Sequence, residues 1–379
     1  MSRTLLFRRR SVSLLVSLAG CVAHATPAAA DNAAMPAPPA HHRDGGFQNN
    51  HLDFAPPGLL KLMRWRWDAT RGGLPRPPQA ATPTVPAELN FLRRNAVAGK
   101  AMQPTATWIG HATVLVQMGG LNVLTDPIFS ERASPLSWAG PQRAQPPGIA
   151  LGELPRIDAV LVSHDHFDHC DLPSLRALAA QPGGAPLFLV PLGLKALLED
   201  RGIVNVIELD WWQNHSLNGV DIVMTPVQHW SARGLTDRLR TLWGGWALFA
   251  PDLQVFFAGD TGYSRDFADI HARFAPRQAG GGFDLALLPV GAYEPRWFMK
   301  DQHVNPEEAL RIHLDLAARL SLGIHWGTFE LTDEALDEPP RALAAARRAL
   351  GVADTAFVLT PIGHTLRLPP RGESPITGQ

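Results

Sequence analysis

The chain has 379 residues, 45% hydrophobic and 18% charged, which is ample for a large core and sets no bar to one domain or several. A formal net charge of −1 offers no electrostatic footprint for a polyanion, so no nucleic-acid partner is expected. Only two cysteines occur, Cys21 and Cys170, and no disulfide framework is expected from them.

Residues 1–30 read as an export signal. A basic stretch, "MSRTLLFRRR", precedes a short apolar one, "SVSLLVSLAG". The apolar stretch is too short for a membrane span. Two processing routes stay open. "LAGC" (18–21) has the form of a bacterial lipobox that would leave Cys21 as a lipidated N-terminus. "AHA" before Thr26 or "AAA" before Asp31 would serve an ordinary signal peptidase. The first route implies a lipoprotein on a bacterial envelope membrane and the second a soluble periplasmic protein. Removing residues 1–20 takes four arginines and no acid, moving the formal charge from −1 to −5.

Residues 31–50 are Ala/Pro/Gly-rich and aperiodic, and read as a tether. One large domain is expected over 51–370, with a tail at 371–379. "LLKLMRWRW" (59–67) mixes apolar and basic residues with two tryptophans; it either touches a membrane surface or packs on the domain.

From Thr105 short strands and helices alternate. "TATWI", "TVLVQM" and "LNVLTD" read as strands, the last two joined by Gly119-Gly120 as a hairpin. "DAVLVS" is a fully apolar strand. "SLRALAA" and "LKALLED" are short helices. "VDIVMTPV", "GWALFA", "QVFFAGD" and "FDLALLPV" are further strands. Asn305 caps the clearest helix, with Pro306 at its first position and Glu308 three after the cap. Ala309, Ile312, Leu316 and Leu320 line one face of it. The strand "LGIHWG" follows. No repeat is visible, and the pattern predicts one α/β domain with two helix-covered sheets.

The strand "DAVLVS" runs into "HDHFDHC", an H-x-H-x-D-H cluster of His164, His166, Asp168 and His169. At a strand end this spacing aims His164 and His166 at one ion and Asp168 and His169 at a second. Imidazole and carboxylate suit Zn²⁺ and similar ions. His229, Asp260 and His325 each follow a predicted strand, and ends of strands on one edge of an α/β fold are where sites are built. Seven ligands with one shared aspartate meet the needs of a two-metal hydrolytic centre.

This set resembles the metallo-β-lactamase superfamily, and more closely its N-acyl-phosphatidylethanolamine-hydrolysing phospholipase D branch. The resemblance rests on "TWIGHATVLVQM", "LTDPIFSERASP", "IDAVLVSHDHFDHCD", "VPLGL", "NVIELDWW", "FFAGDTGY", "PVGAYEPRWFMKDQHVNPEEA" and "IHWGTFELTDE", from about Phe47 to near the C-terminus. The histidine motif is superfamily-wide; "GAYEPRWFM" with "QHVNPEEA" is more specific. The resemblance implies a four-layer αββα sandwich and two Zn²⁺ per chain. His164, His166 and His229 would hold one ion, and Asp168, His169 and His325 the other, with Asp260 bridging. Cys170 stands where animal members have an apolar residue, so it is read as a small buried side chain.

The implied activity is hydrolysis of a phospholipid, (N-acyl-)phosphatidylethanolamine or a relative, at a membrane surface. Water attacks phosphorus, phosphatidate and an ethanolamine product form, and no covalent enzyme intermediate is needed. Asp168, Asp260 and His303 are the candidate catalytic groups. Gln302, His303 and Tyr293 are the candidate substrate contacts. Tyr263 and Tyr293, the only tyrosines, either donate to a developing oxyanion or pack. His111 is either a support for the ligands or structural. His215, His271 and His313 read as surface or helix residues. Two other readings stand beside this one: the same cage acting on another ester, lactone or phosphodiester, and a non-catalytic envelope lipoprotein. Oligomeric state stays open, a homodimer included.

Overall fold

The computed structural model describes residues 39–234, 236–278 and 281–371. The signal, the lipobox Cys21, residues 31–38 of the tether and residues 372–379 of the tail lie outside the described residues.

Residues 39–50 are folded rather than a tether. Strands β1 (His42–Arg43) and β2 (Gly46–Phe47) pair antiparallel around Asp44-Gly45. Gly45 takes φ 77°, the left-handed geometry that an Asp-Gly hairpin loop requires. His41, Phe47 and Asn49 are buried. Low complexity masked a turn signal and the hydrogen-bonding side chains His41, His42, Gln48, Asn49 and Asn50. At the other end Arg371 also belongs to the fold, its guanidinium 2.8 Å from Asp284.

Helix α1 (Leu59–Gly72) buries only Trp65 and Ala69, and α2 (Leu89–Ala96) buries Leu92. Three antiparallel strands follow, β3 (Thr105–Gly110), β4 (Thr113–Met118) and β5 (Leu121–Thr125). Gly119 and Gly120 form the β4–β5 loop with φ 57° and 79°, as the Gly-Gly pair predicts. β6 (Ala159–Leu161), α3 (Leu172–Ala179), β7 (Leu187–Pro191), α4 (Leu194–Glu199) and β8 (Val206–Leu209) extend the sheet in parallel.

The second sheet repeats this plan. β9 (Asn214–Leu217), β10 (Val220–Thr225), β11 (Gly245–Phe249) and β12 (Gln254–Phe257) are antiparallel. After α5 (Asp266–Phe274), β13 (Leu285–Pro289) pairs parallel to β12. After α6 (Arg296–Met299) and α7 (Pro306–Asp315), β14 (Ser321–Ile324) continues the parallel half. α8 (Glu338–Leu350), β15 (Phe357–Val358) and β16 (Thr365–Arg367) complete the chain. β15 closes the second sheet, while β16 crosses back to pair with β3, so each sheet has seven strands.

Strand alternation explains the layers. In β4, Val114 and Val116 join the core shared by the two sheets, whereas Leu115 joins a second cluster with Leu92, Leu175 and Leu198 of α2, α3 and α4. In the shared core Trp108, Trp246, Phe256 and Phe257 are fully buried; each such phenylalanine contributes about 1.5–3 kcal/mol. The result is the expected αββα order. α7 begins at the predicted capping box: Asn305 accepts from Glu308 N, and Glu308 accepts from Asn305 N. It stops at Asp315, a turn before Leu320, because Ala317 takes φ 48°.

Candidate metal centre

Parallel strands place their carboxyl ends on one edge, and the candidate ligands sit just beyond those ends. His164, His166, Asp168 and His169 follow β6, Asp260 follows β12 and His325 follows β14. His229 follows the antiparallel β10. Gly259 lets Asp260 reach in: its φ is 61°, and a Cβ there would lie 2.5 Å from Ser163 Cβ. His111 and His325 hold left-handed backbones at φ 51° and 61°, a strain that concentrates at functional sites.

The seven predicted ligands converge. His164, His166 and His229 bring three nitrogens together, and Asp168, His169 and His325 do the same with His111. Asp260 lies between the groups. Its Oδ2 is 3.0 Å from His169 Nε2, 3.9 Å from His164 Nε2 and 4.0 Å from His229 Nε2, while Oδ1 is 3.2 Å from His325 Nε2.

Hydrogen bonds on the outer ring nitrogens turn lone pairs inward. His229 Nδ1 donates to the Gln302 carbonyl at 2.9 Å, and His169 Nδ1 donates to Asp126 Oδ2 at 2.6 Å. Ser163 Oγ donates to Asp126 Oδ2 at 2.5 Å, so it accepts from His164 Nδ1 at 2.9 Å. In these three rings the neutral form therefore leaves Nε2 as an acceptor facing its neighbours. His164 Nε2 lies 2.8 Å from His166 Nδ1 and His325 Nε2 lies 3.2 Å from His169 Nε2. Ring nitrogens crowded together in this way suit a cation between them. Among the described residues, Asp260 Oδ1 and His303 Nδ1, both buried, have no hydrogen-bond partner.

The charges agree. Burial disfavours ionised Asp260, but His169, His325 and His303 outweigh it and hold the carboxyl well below its usual range. Asp168 is likewise held low against burial by His169 and by hydrogen bonds from His111 and His169. Burial lowers His229 to about 3 and His166 to about 4, against the pull of nearby carboxylates. Against burial, Asp260 and Asp168 hold His169 well above the usual imidazole range and His325 up to about 9, and a bound cation would displace those protons. Ionised carboxylates among imidazoles form a donor set for divalent cations, so the residues present fit two metal ions.

The other singled-out residues have definite surroundings. His111 supports the ligands: Nε2 is 3.0 Å from Asp168 Oδ2, and its ring lies 4.0 Å from that of His325. Cys170 is fully buried in the helix-side core, and burial pushes its thiol up to about 12; a neutral thiol in an apolar cluster is no metal ligand. His303 reaches the cage, Nδ1 3.9 Å from Asp260 Oδ2. Gln302 holds His229 through its carbonyl, while its side chain lies against Met299 Sδ at 3.5 Å. Tyr293 is buried and donates to Glu338 Oε1 at 2.9 Å, and the more exposed Tyr263 donates to Asp315 at 2.8 Å. Both phenols therefore have partners outside the cage. His313 is a helix residue, as expected, but a buried one.

Asp126 and Ser163, which hydrogen-bond the candidate ligands His169 and His164, were passed over by motif reading. Asp126 directly follows β5, the same strand-end position that marked the ligands. A cleft of about 870 Å³ flanks the histidine loop on its other side, lined by Asp165, Phe167, Arg132 and Arg233. Asp165 and Phe167 alternate with the ligands, so the cleft borders the loop without including them. The cage is more open at His166 and Asp168, which are only half-buried, and Trp230 packs edge-on against His166 at 4.7 Å.

Residues 121–326 match the pattern of a beta-lactamase superfamily domain. An uncharacterized protein of Mycobacterium tuberculosis is 40% identical over 333 residues, 85% of each chain. The N-acyl-phosphatidylethanolamine-hydrolyzing phospholipase D 1 of Caenorhabditis elegans is 42% identical over 273 residues, 68% of this chain and 74% of its own. A possible metal-dependent hydrolase of Veillonella parvula, 17% identical, superposes with a TM-score of 0.55 over 70% of this chain and 100% of its own, a likeness of fold.

Proposed function

The chain belongs to the beta-lactamase superfamily and, within it, to the N-acyl-phosphatidylethanolamine-hydrolyzing phospholipase D branch, as a metal-dependent hydrolase; from that premise we propose that it is a zinc phosphodiesterase cleaving (N-acyl-)phosphatidylethanolamine or a related phospholipid. The observation that carries this is Asp260, set within 4.0 Å of His164, His169, His229 and His325. It is the shared carboxylate of a two-ion site.

His164, His166 and His229 would hold one ion and Asp168, His169 and His325 the other, with Asp260 common to both. Such a pair supplies a nucleophilic water at neutral pH and stabilises both the attacking and the leaving oxygen of an in-line displacement. The chain supplies the rest. Asp126, Ser163 and the Gln302 carbonyl fix the ring orientations. His303, with an unpartnered Nδ1 facing the cage, is placed to donate to a phosphoryl oxygen.

A lipid substrate is supported by α1. Leu59, Leu60, Met63 and Trp67 are exposed there, among Lys61, Arg64, Arg66 and Arg71. That composition suits the boundary between acyl chains and headgroups. α1 also adjoins the segment leading to His303: Trp65 packs on Phe298 at 4.9 Å, and Arg64 lies over Trp297 at 5.0 Å. A location on or near a bacterial envelope membrane, after export, fits this reading.

Hydrolysis in ¹⁸O-water tests the bond. One labelled oxygen should appear in phosphatidate and none in the ethanolamine product. Label in a released fatty acid would mean acyl cleavage and would defeat the proposal.

A further inference from the structure

The backbone of the ligand candidate His229 is gripped on both sides by a distant side chain. Asn49 Oδ1 accepts from His229 N at 3.0 Å, and Asn49 Nδ2 donates to the His229 carbonyl at 3.0 Å. The same Oδ1 accepts from Trp243 Nε1 at 3.1 Å. Asn49 thus completes both backbone bonds of a buried residue 180 positions away. The Gln302 carbonyl fixes how the ring is turned, and Asn49 fixes where it stands.

The segment carrying Asn49 is itself fastened at both ends. His41 Nε2 lies 2.6 Å from Asp210 Oδ1 and His42 Nε2 lies 2.8 Å from Asp210 Oδ2, with the His41 ring stacked on Trp211 at 4.3 Å. Trp211 Nε1 in turn donates to the Trp243 carbonyl at 2.6 Å. Phe47 N donates to the Leu239 carbonyl at 2.8 Å. Gly46 permits that approach, since a Cβ there would lie 2.1 Å from the Leu239 oxygen. Past Asn49, Asn50 Nδ2 donates to Asp266 at 2.9 Å.

We propose that residues 39–50 are a strap that sets a metal ligand. Asn49 is a positioning residue for His229, and the His41/His42–Asp210 clasp holds Asn49 in register. Occupancy of the His164/His166/His229 site therefore depends on a segment outside the strands that carry its ligands. The inference rests on His229 being a metal ligand and not on the identity of the substrate. A metal-only readout thus separates its failure from failure of the phospholipase reading.

The test uses the full chain. Asn49→Ala, Asn49→Asp, Asn50→Ala and the His41→Ala/His42→Ala double variant are titrated with zinc against a chromophoric chelator. Their cobalt(II) forms are compared by visible spectroscopy. Loss of an outer-shell partner weakens metal binding by about 10- to 100-fold. Asn49→Ala should therefore lose affinity for one of two ions by that factor, with altered cobalt bands, and excess metal should restore the count. Asn49→Asp keeps the acceptor for His229 N and Trp243 Nε1 and should recover part of the loss. The clasp variant should shift the same ion by less, and it carries the test if Asn49→Ala fails to fold. Asn50→Ala loosens the same segment without touching His229 and should keep both affinities. Two ions bound with unchanged affinity in the clasp variant, or in a folded Asn49→Ala protein, would overturn the proposal. So would an equal loss in Asn50→Ala.

Discussion

Asp126 Oδ2 accepts from His169 Nδ1 at 2.6 Å, and through Ser163 Oγ the same carboxylate fixes His164. One buried side chain thus orients a ligand of each proposed ion. Asp126→Asn keeps the volume but presents an N–H either to His169 Nδ1 and Ser163 Oγ or to Ser163 N, each of which needs an acceptor. Affinity for both ions should fall about 10- to 100-fold, measured by chelator competition. Loss of one ion alone would contradict the shared-anchor reading.

Asp260 and His303 should separate metal binding from chemistry. Asp260→Asn removes the carboxylate charge placed between the two trios, so both ion content and hydrolysis should collapse while circular dichroism stays native. His303→Ala lies outside the seven ligands. It should keep two ions and slow turnover by roughly 10²-fold, the scale of losing one transition-state donor. Metal loss in His303→Ala, read by elemental analysis, would place this residue in the cage instead.

His313 gives a pH test away from the metal. Burial lowers its pKa from 6.5, and Nδ1 lies 2.8 Å from Ser321 Oγ. The fold therefore favours the neutral ring. Its stability contribution is complete above pH 6.5 and declines as pH falls toward the folded value, because the unfolded chain binds the extra proton. Thermal melts at pH 7.5 and 5.5 should show a smaller acid-induced drop in Tm for His313→Gln than for the parent. An identical drop would show that His313 does not contribute.

The exposed face of α1 predicts a dependence on how substrate is presented. A large apolar side chain entering an interface is worth about 1.5–3 kcal/mol. Leu60→Glu with Trp67→Glu should thus cut activity on phospholipid vesicles roughly tenfold or more. Activity on a short-chain soluble phosphodiester should be unchanged. Equal losses on both substrates would point to a disturbed fold.

The cage was largely legible in the order of residues, because metal chemistry limits ligands to a few side-chain types and strand ends supply their positions. His164, His166, Asp168 and His169 are near neighbours in sequence. His229, Asp260 and His325 each close an apolar run, so one rule located all seven. The capping box at Asn305 and the Gly119-Gly120 hairpin were legible for the same reason: their physics is local. The fold order needed the resemblance as well, since apolar runs mark strands but not their pairing, and β16 returning to β3 across the chain has no local signal.

Tertiary structure alone decided what supports the cage. Asp126 resembles any strand-end aspartate until Ser163 and His169 meet it. Asn49 sits in a stretch whose composition reads as a tether, and only the approach of His229 from 180 residues away gives it a role. Gln302 acts through its carbonyl, a group every residue carries and no motif can mark. Ligands are specified by chemical type, which sequence displays directly. The groups that aim them are specified by position, and position exists only once the chain has closed on itself.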